Sequence, residues 1–103
     1  HAFATDPLAL SLAKQALAKS LDHQVEPPMA IFFYLPFEHS EDMADQDRSV
    51  ALFGRLDAKW MPYALEHRDI IARFGRFPHR NAILGRESTA EELAFLREPG
   101  SRF

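Results

Sequence analysis

Apolar residues recur along this chain at helical spacing, and each recurrence is bounded by residues that start or stop helices. In "TDPLALSLAKQALAKSL", Leu8, Leu12 and Ala16 fall on one line, with Ala9, Ala13 and Leu17 beside it and Leu10 and Leu21 widening the stripe. A face that wide predicts a helix packed between two neighbours. Asp6 is expected as its N-cap and Pro7 at its first helical position, where a missing N–H costs nothing.

"DHQVEPP" breaks this pattern, and a second apolar helix is expected from Pro27 or Pro28 to about Leu35, with Pro36 ending or kinking it. Ser40 is the expected cap of a third helix through "EDMADQDRSVALFGRL", ending near Gly54 to Asp57. The fourth helix, Trp60 to Phe77, carries Tyr63, His67, Ile70, Phe74 and Phe77 on one stripe, widened by Ala64 and Ile71. Glu66, Asp69, Arg73 and Arg76 make a polar stripe beside it, acids before bases, as pairing and the helix dipole favour. Pro78 is its expected stop. Ser88 and Thr89 each precede a glutamate by three positions, so a capping box should open a last short helix over "AEELAFLRE". No segment alternates with period two, and no repeat of roughly 34 residues appears. The pattern therefore predicts a single all-α domain over residues 1–103, with about five antiparallel helices packed as hairpins and no sheet.

Composition narrows the classes more than it names one. An apolar fraction of 47% with 26% charged residues is that of a folded domain, and the absence of cysteine removes disulfide frameworks and thiolate metal sites. A net charge of −3 argues against nucleic acid as a partner. The longest apolar run, "MAIFFYLPF", falls short of the roughly 20 residues a membrane span requires, and no targeting segment is recognisable, so a cytoplasmic location is expected. Phe32, Phe33, Tyr34, Phe37, Phe53, Trp60, Tyr63, Phe74 and Phe77 are mostly expected in the core.

Charge is distributed unevenly. Between Glu66 and Arg86 five arginines face two acids, whereas Glu38 to Asp47 holds five acids and neither lysine nor arginine. Arg73, Arg76, Arg80 and Arg86, with His79 and Asn81 between them, form a candidate anion-binding set, because guanidinium forks match carboxylate and phosphate. The competing reading is that these arginines pair with the acids at 38 to 47. A weaker constellation is "FEHSED": Glu38, His39, Glu41 and Asp42, together with His79, are candidates for acid–base chemistry, and His67 or His79 from another helix would complete a metal site. The spacing matches no specific zinc motif, so no metal and no cofactor is expected. His67, in the middle of an apolar face, is expected to be a buried, hydrogen-bonded histidine.

The segments "AFATDPLALSLAKQAL", "FYLPFEHSEDMADQDRSVALF" and "HRDIIARFGRFPHRNAILGRESTAEELAFL" resemble the uncharacterised bacterial family known as domain of unknown function 924. The resemblance implies an all-helical, tetratricopeptide-like fold and no established activity. It also implies that this chain is the carboxy-terminal portion of a longer domain. The amino-terminal half would carry a "DQFPRN"-like segment echoing Phe77, Pro78, Arg80 and Asn81, and that half or a second copy would be a partner. Three functions follow as expectations: a binding module for an anionic small molecule or peptide, a hydrolase-type enzyme, or a subunit assembling through apolar helix faces.

Overall fold

The computed structural model describes residues 6–56, 58–99 and 101, and among these every regular element is helical. Six α-helices follow one another: α1 (Asp6–Ala18), α2 (Pro27–Glu38), α3 (Met43–Phe53), α4 (Met61–Phe74), α5 (Asn81–Leu84) and α6 (Ala90–Leu96). Single 3₁₀ turns at Leu21–Gln24, Ala58–Trp60 and Pro78–Arg80 connect some of them. The described residues extend 45 × 29 × 19 Å, with α2, α3 and α4 packed in succession, α1 laid on α2, and α6 against the Pro78–Arg80 turn.

Two apolar clusters hold this arrangement. Tyr34 and Phe37 of α2 meet Leu52 and Phe53 of α3, with Ala13, Ala30 and Ala64 letting the helices approach closely. Ile70, Ile71 and Phe77 make the second cluster, against which Met43, Phe74 and Phe95 pack. The α1 stripe is narrower than expected: Ala13 and Ala16 are buried, but Leu8 and Leu12 remain 62% and 55% exposed. The helix turns one side to α2 and the 3₁₀ turn after it, so it is not enclosed by two neighbours. Phe32 and Tyr63 are likewise exposed rather than core. On α4 the buried line is Ala64, His67 and Ile71, with Ile70 beside it, about 100° round from Tyr63.

The helix ends also depart from expectation, and two departures shape the site. Pro36 lies inside α2, which continues through it to Glu38; His39 N–H still reaches the Leu35 carbonyl at 3.0 Å. Proline removes only one hydrogen bond here, and it sits in the last turn, where few bonds remain to be lost. Gln46, fully buried on α3, donates from Nε2 to the carbonyls of Glu38 (2.6 Å) and Ser40 (2.7 Å), satisfying acceptors that the end of α2 leaves open. The cap of α3 is Asp42, whose Oδ1 accepts from Ala44 N and Asp45 N; Ser40 instead donates to Asp45 Oδ2 at 2.8 Å.

Gly75 ends α4 earlier than Phe77. Its φ of 73° is the left-handed conformation that glycine adopts without strain, and its N–H closes the helix on the Ile71 carbonyl at 2.8 Å. Phe77 therefore reaches the core from the turn, not from the helix, and its N–H donates to Glu41 Oε2 at 2.6 Å. The capping box of α6 forms on Thr89 and Glu92.

Candidate functional site

The four arginines of the candidate set diverge. Arg73 lies over the rings of Phe74 and Phe95, at 4.6 and 5.7 Å from their centroids. Arg76 grips Glu92 through Nε (2.8 Å) and Nη2 (2.7 Å) and also donates to the Glu87 carbonyl, so it locks the start of α6. This pairing, with the Thr89 N–H, holds the Glu92 carboxyl down at about 2. Arg86 ion-pairs with the acidic segment, as Arg68 outside the set does with Asp47 at 2.6 Å: Arg86 forks onto Glu41 at 2.8 and 3.0 Å and donates as well to Asn81 Oδ1 and the Phe77 carbonyl. Burial raises the Glu41 carboxyl, but Arg86 and the Phe77 N–H outweigh it and the net direction is down. Asn81 completes this scaffold, buried, with its Nδ2 donating to Ser88 Oγ.

Arg80 differs from these three. It is buried, stacks over Phe77 at 4.7 Å, donates from Nη2 to the His39 carbonyl at 3.0 Å, and forms part of the wall of a cavity of about 330 Å³. Asp6, Pro7 and Leu10 at the start of α1 form one side of that cavity; Pro36, His39, Ser40 and Glu41 form another, and Arg80 with Leu84 closes it. The run past Pro36 is thus what carries His39 to the wall. The first turn of α1 brings the positive end of its helix dipole to this side, together with the Asp6 carboxylate. Desolvation lowers the Arg80 pKa, while Glu41 and Asp6 oppose that shift, and a guanidinium remains charged near neutrality.

Behind His39 lies a second group that the linear reading assembled only in part. His67 Nδ1 is 3.5 Å from Glu38 Oε1, and one ligand-type atom from each of Glu38, His39 and His67 falls within 4.8 Å of the others. Glu38 and His67 are buried, whereas His39 is exposed on the cavity. Burial pushes the Glu38 carboxyl up to about 7. Burial also drives His67 down to about 4, with His39, His79 and Arg80 adding to the fall and the Tyr63 carbonyl opposing it. Desolvation, then Arg80, lowers His39 too, although its ring still opens on the cavity. Because His67 Nδ1 lies 2.7 Å from the Tyr63 carbonyl, which can only accept, that nitrogen carries the hydrogen and Nε2 keeps its lone pair. A carboxyl that titrates near neutrality beside a neutral imidazole is equipped to exchange protons with a bound molecule.

Of the acid–base candidates, Glu38 and His39 come together, Glu41 is tied to Arg86, and Asp42 caps α3. His79 is half-buried against Phe77, near enough to His67 to disfavour its charge. The third member of the cluster is His67, buried and hydrogen-bonded as its place on an apolar face predicts. Gln46, which fixes the end of α2, has no signature in the sequence. Among the described residues no helix is long and apolar enough to cross a membrane.

Residues 1–100 match a family model described as "Bacterial protein of unknown function (DUF924)". The chain is 50% identical to a solved structure titled "Structure of Protein of Unknown Function ATU0120 from Agrobacterium tumefaciens", with a TM-score of 0.88. That similarity covers 91% of this chain and 53% of the Agrobacterium chain, so this chain spans about half the length of that relative. No protein of curated function matches.

Proposed function

Given that the chain belongs to DUF924, a bacterial family of unknown function, we propose from its own geometry that the cavity beside Arg80 and His39 binds a small molecule through an anionic group. The single observation that carries this reading is the position of Arg80, a buried guanidinium in the cavity wall next to an exposed histidine and the first turn of α1. Pro7, Leu10, Pro36 and Leu84 supply apolar surface for the rest of the ligand, and a fork of planar donors fits carboxylate or phosphate. The binding set is narrower than the whole arginine cluster. Arg76 and Arg86 tie elements of the fold together, and neither they nor Arg73 line this cavity, so the reading assigns the ligand to His39 and Arg80, which do.

Calorimetric titration with inorganic phosphate and with small phosphorylated and carboxylated compounds tests this. Wild type is expected to bind a member of this set, and Arg80→Gln to bind it about 10- to 100-fold more weakly, the scale of one charge-assisted hydrogen bond. Arg73→Ala should bind as wild type does. Equal affinity in wild type and Arg80→Gln, or no binding to wild type, removes the reading.

A second reading is favoured by separate observations: assembly through an apolar face. Leu8 and Leu12 on α1 and Phe32 on α2 are each more than half exposed, and Phe32 lines a groove with Ala9, Leu35 and Pro36. Exposed apolar side chains on two adjacent helices are what an interface would cover. Its partner would be a second copy, or chain of the kind that makes up the remainder of the Agrobacterium protein; in the latter case the tetratricopeptide-like hairpin array would continue beyond α1. Light scattering at tens of micromolar is expected to give a mass above that of a monomer for a chain with this face uncovered, and to fall toward one monomer in Leu12→Glu. A clean monomer for that wild-type chain contradicts this reading.

A further inference from the structure

We propose that Glu38, His39 and His67 bind one divalent transition-metal ion of the zinc class, held behind the cavity wall with one coordination position turned toward the cavity. The inference does not depend on the anion reading; it rests on three residues from two helices and the position after one of them. One donor atom from each lies within 4.8 Å of the others. Ligand atoms around zinc at about 2.0 to 2.2 Å stand roughly 3 to 4 Å apart, so side-chain rotations of order 1 Å close the set.

Two of the three ligands are prepared by their surroundings. The Nδ1–H of His67 is directed to the Tyr63 carbonyl, which orients the ring beside Glu38, as an outer hydrogen bond orients a metal-bound imidazole. Glu38 is buried at 5% exposure, with His67 Nδ1 3.5 Å from its carboxylate. A buried carboxylate beside a neutral imidazole is a place where a bound cation offsets part of the desolvation cost. Gln46 holds the Glu38 and Ser40 carbonyls, fixing the backbone from which Glu38 and His39 project.

The donor set selects the metal. Two imidazoles and one carboxylate suit zinc, cobalt or iron(II), whereas magnesium and calcium prefer oxygen throughout. Three protein ligands leave a fourth position open, and His39, the exposed member, turns that side toward the cavity.

The full chain, stripped with chelator and dialysed, is titrated with Co²⁺ followed by visible absorption, then with Zn²⁺ as competitor. One Co²⁺ per chain is expected, with the intense bands of low coordination and displacement by Zn²⁺. His39→Asn, at an exposed position that leaves the core intact, should weaken binding by about 100-fold or more, beyond the loss an outer partner alone causes. Glu38→Gln and His67→Asn should do the same, and circular dichroism reports whether each remains folded. His23→Asn, at an exposed turn, should leave affinity unchanged. No saturable Co²⁺ binding by wild type, or equal affinity in wild type and folded His39→Asn, overturns the proposal.

Discussion

Glu38→Gln is expected to be more stable than the metal-free wild-type chain at pH 8, by about 2 kcal/mol, although it removes a charge that nominally pairs with His67. Burial raises the Glu38 carboxyl from 4.5 to about 7, so at pH 8 the native state holds an ionised carboxylate in a place that favours the acid. That rise corresponds to about 3 kcal/mol, and the desolvation of the replacing amide takes back part of it. Between pH 4.5 and 7 the native state keeps a proton that the unfolded chain has released, so this group makes stability fall as pH rises.

His67 works in the opposite sense. Its pKa falls from 6.5 to about 4, so between these values the unfolded chain takes up a proton that the native state refuses, and stability rises with pH. Both windows cover pH 4.5 to 6.5, where the two contributions offset each other. The groups facing the pair are His39, His79 and Arg80, all of which press His67 further toward neutrality. Urea midpoints measured across pH should therefore show a rise from about pH 4 to 6.5 in Glu38→Gln, and a fall from about 4.5 to 7 in a folded His67→Gln. A Glu38→Gln protein less stable than wild type at pH 8 would mean that the carboxylate supports the fold.

Arg86→Ala should cost about 2 kcal/mol, the scale of breaking a partly buried, multiply bonded ion pair. One guanidinium here satisfies both Glu41 oxygens, Asn81 Oδ1 and the Phe77 carbonyl, joining the start of α3, the Gly75 turn and α5. Its removal takes both guanidinium bonds from Glu41, which keeps the Phe77 N–H and the more distant charge of Arg80, and uncovers two further acceptors. Arg86→Lys keeps the charge but not the fork, and should recover less than half of the loss. In a double-mutant cycle with Glu41→Gln the two losses should be clearly less than additive, because both remove the same contact. A cost below about 0.5 kcal/mol would place the pair among solvated surface contacts.

The fold class, most helices and the capping box at Thr89 are legible in the sequence because they depend on local spacing and local hydrogen bonds. Helix ends are less legible where two signals compete. Asp42 and Ser40 both suit a cap, and their difference lies in which backbone N–H groups each side chain meets. Pro36 reads as a stop, yet the missing bond is tolerable because Gln46, eight residues beyond Glu38, secures the carbonyls that follow. The arginine excess is visible as composition, but the fate of each side chain is set by tertiary partners: Glu92 for Arg76, Glu41 for Arg86, the His39 carbonyl and the cavity for Arg80. His67 illustrates the same limit from the other side. Its burial follows from helical periodicity, while its proximity to Glu38 depends on how α4 packs against the end of α2.

The central claim is a division of labour within one arginine cluster, in which Arg80 and His39 face a ligand while Arg76 and Arg86 hold the fold. Nuclear magnetic resonance of the arginine Nε–H and histidine ring signals during titration with inorganic phosphate tests it residue by residue. The expected result is saturable displacement of the Arg80 and His39 resonances with those of Arg76 and Arg86 stationary. Displacement of Arg76 and Arg86 instead, or stationary signals throughout, contradicts the account.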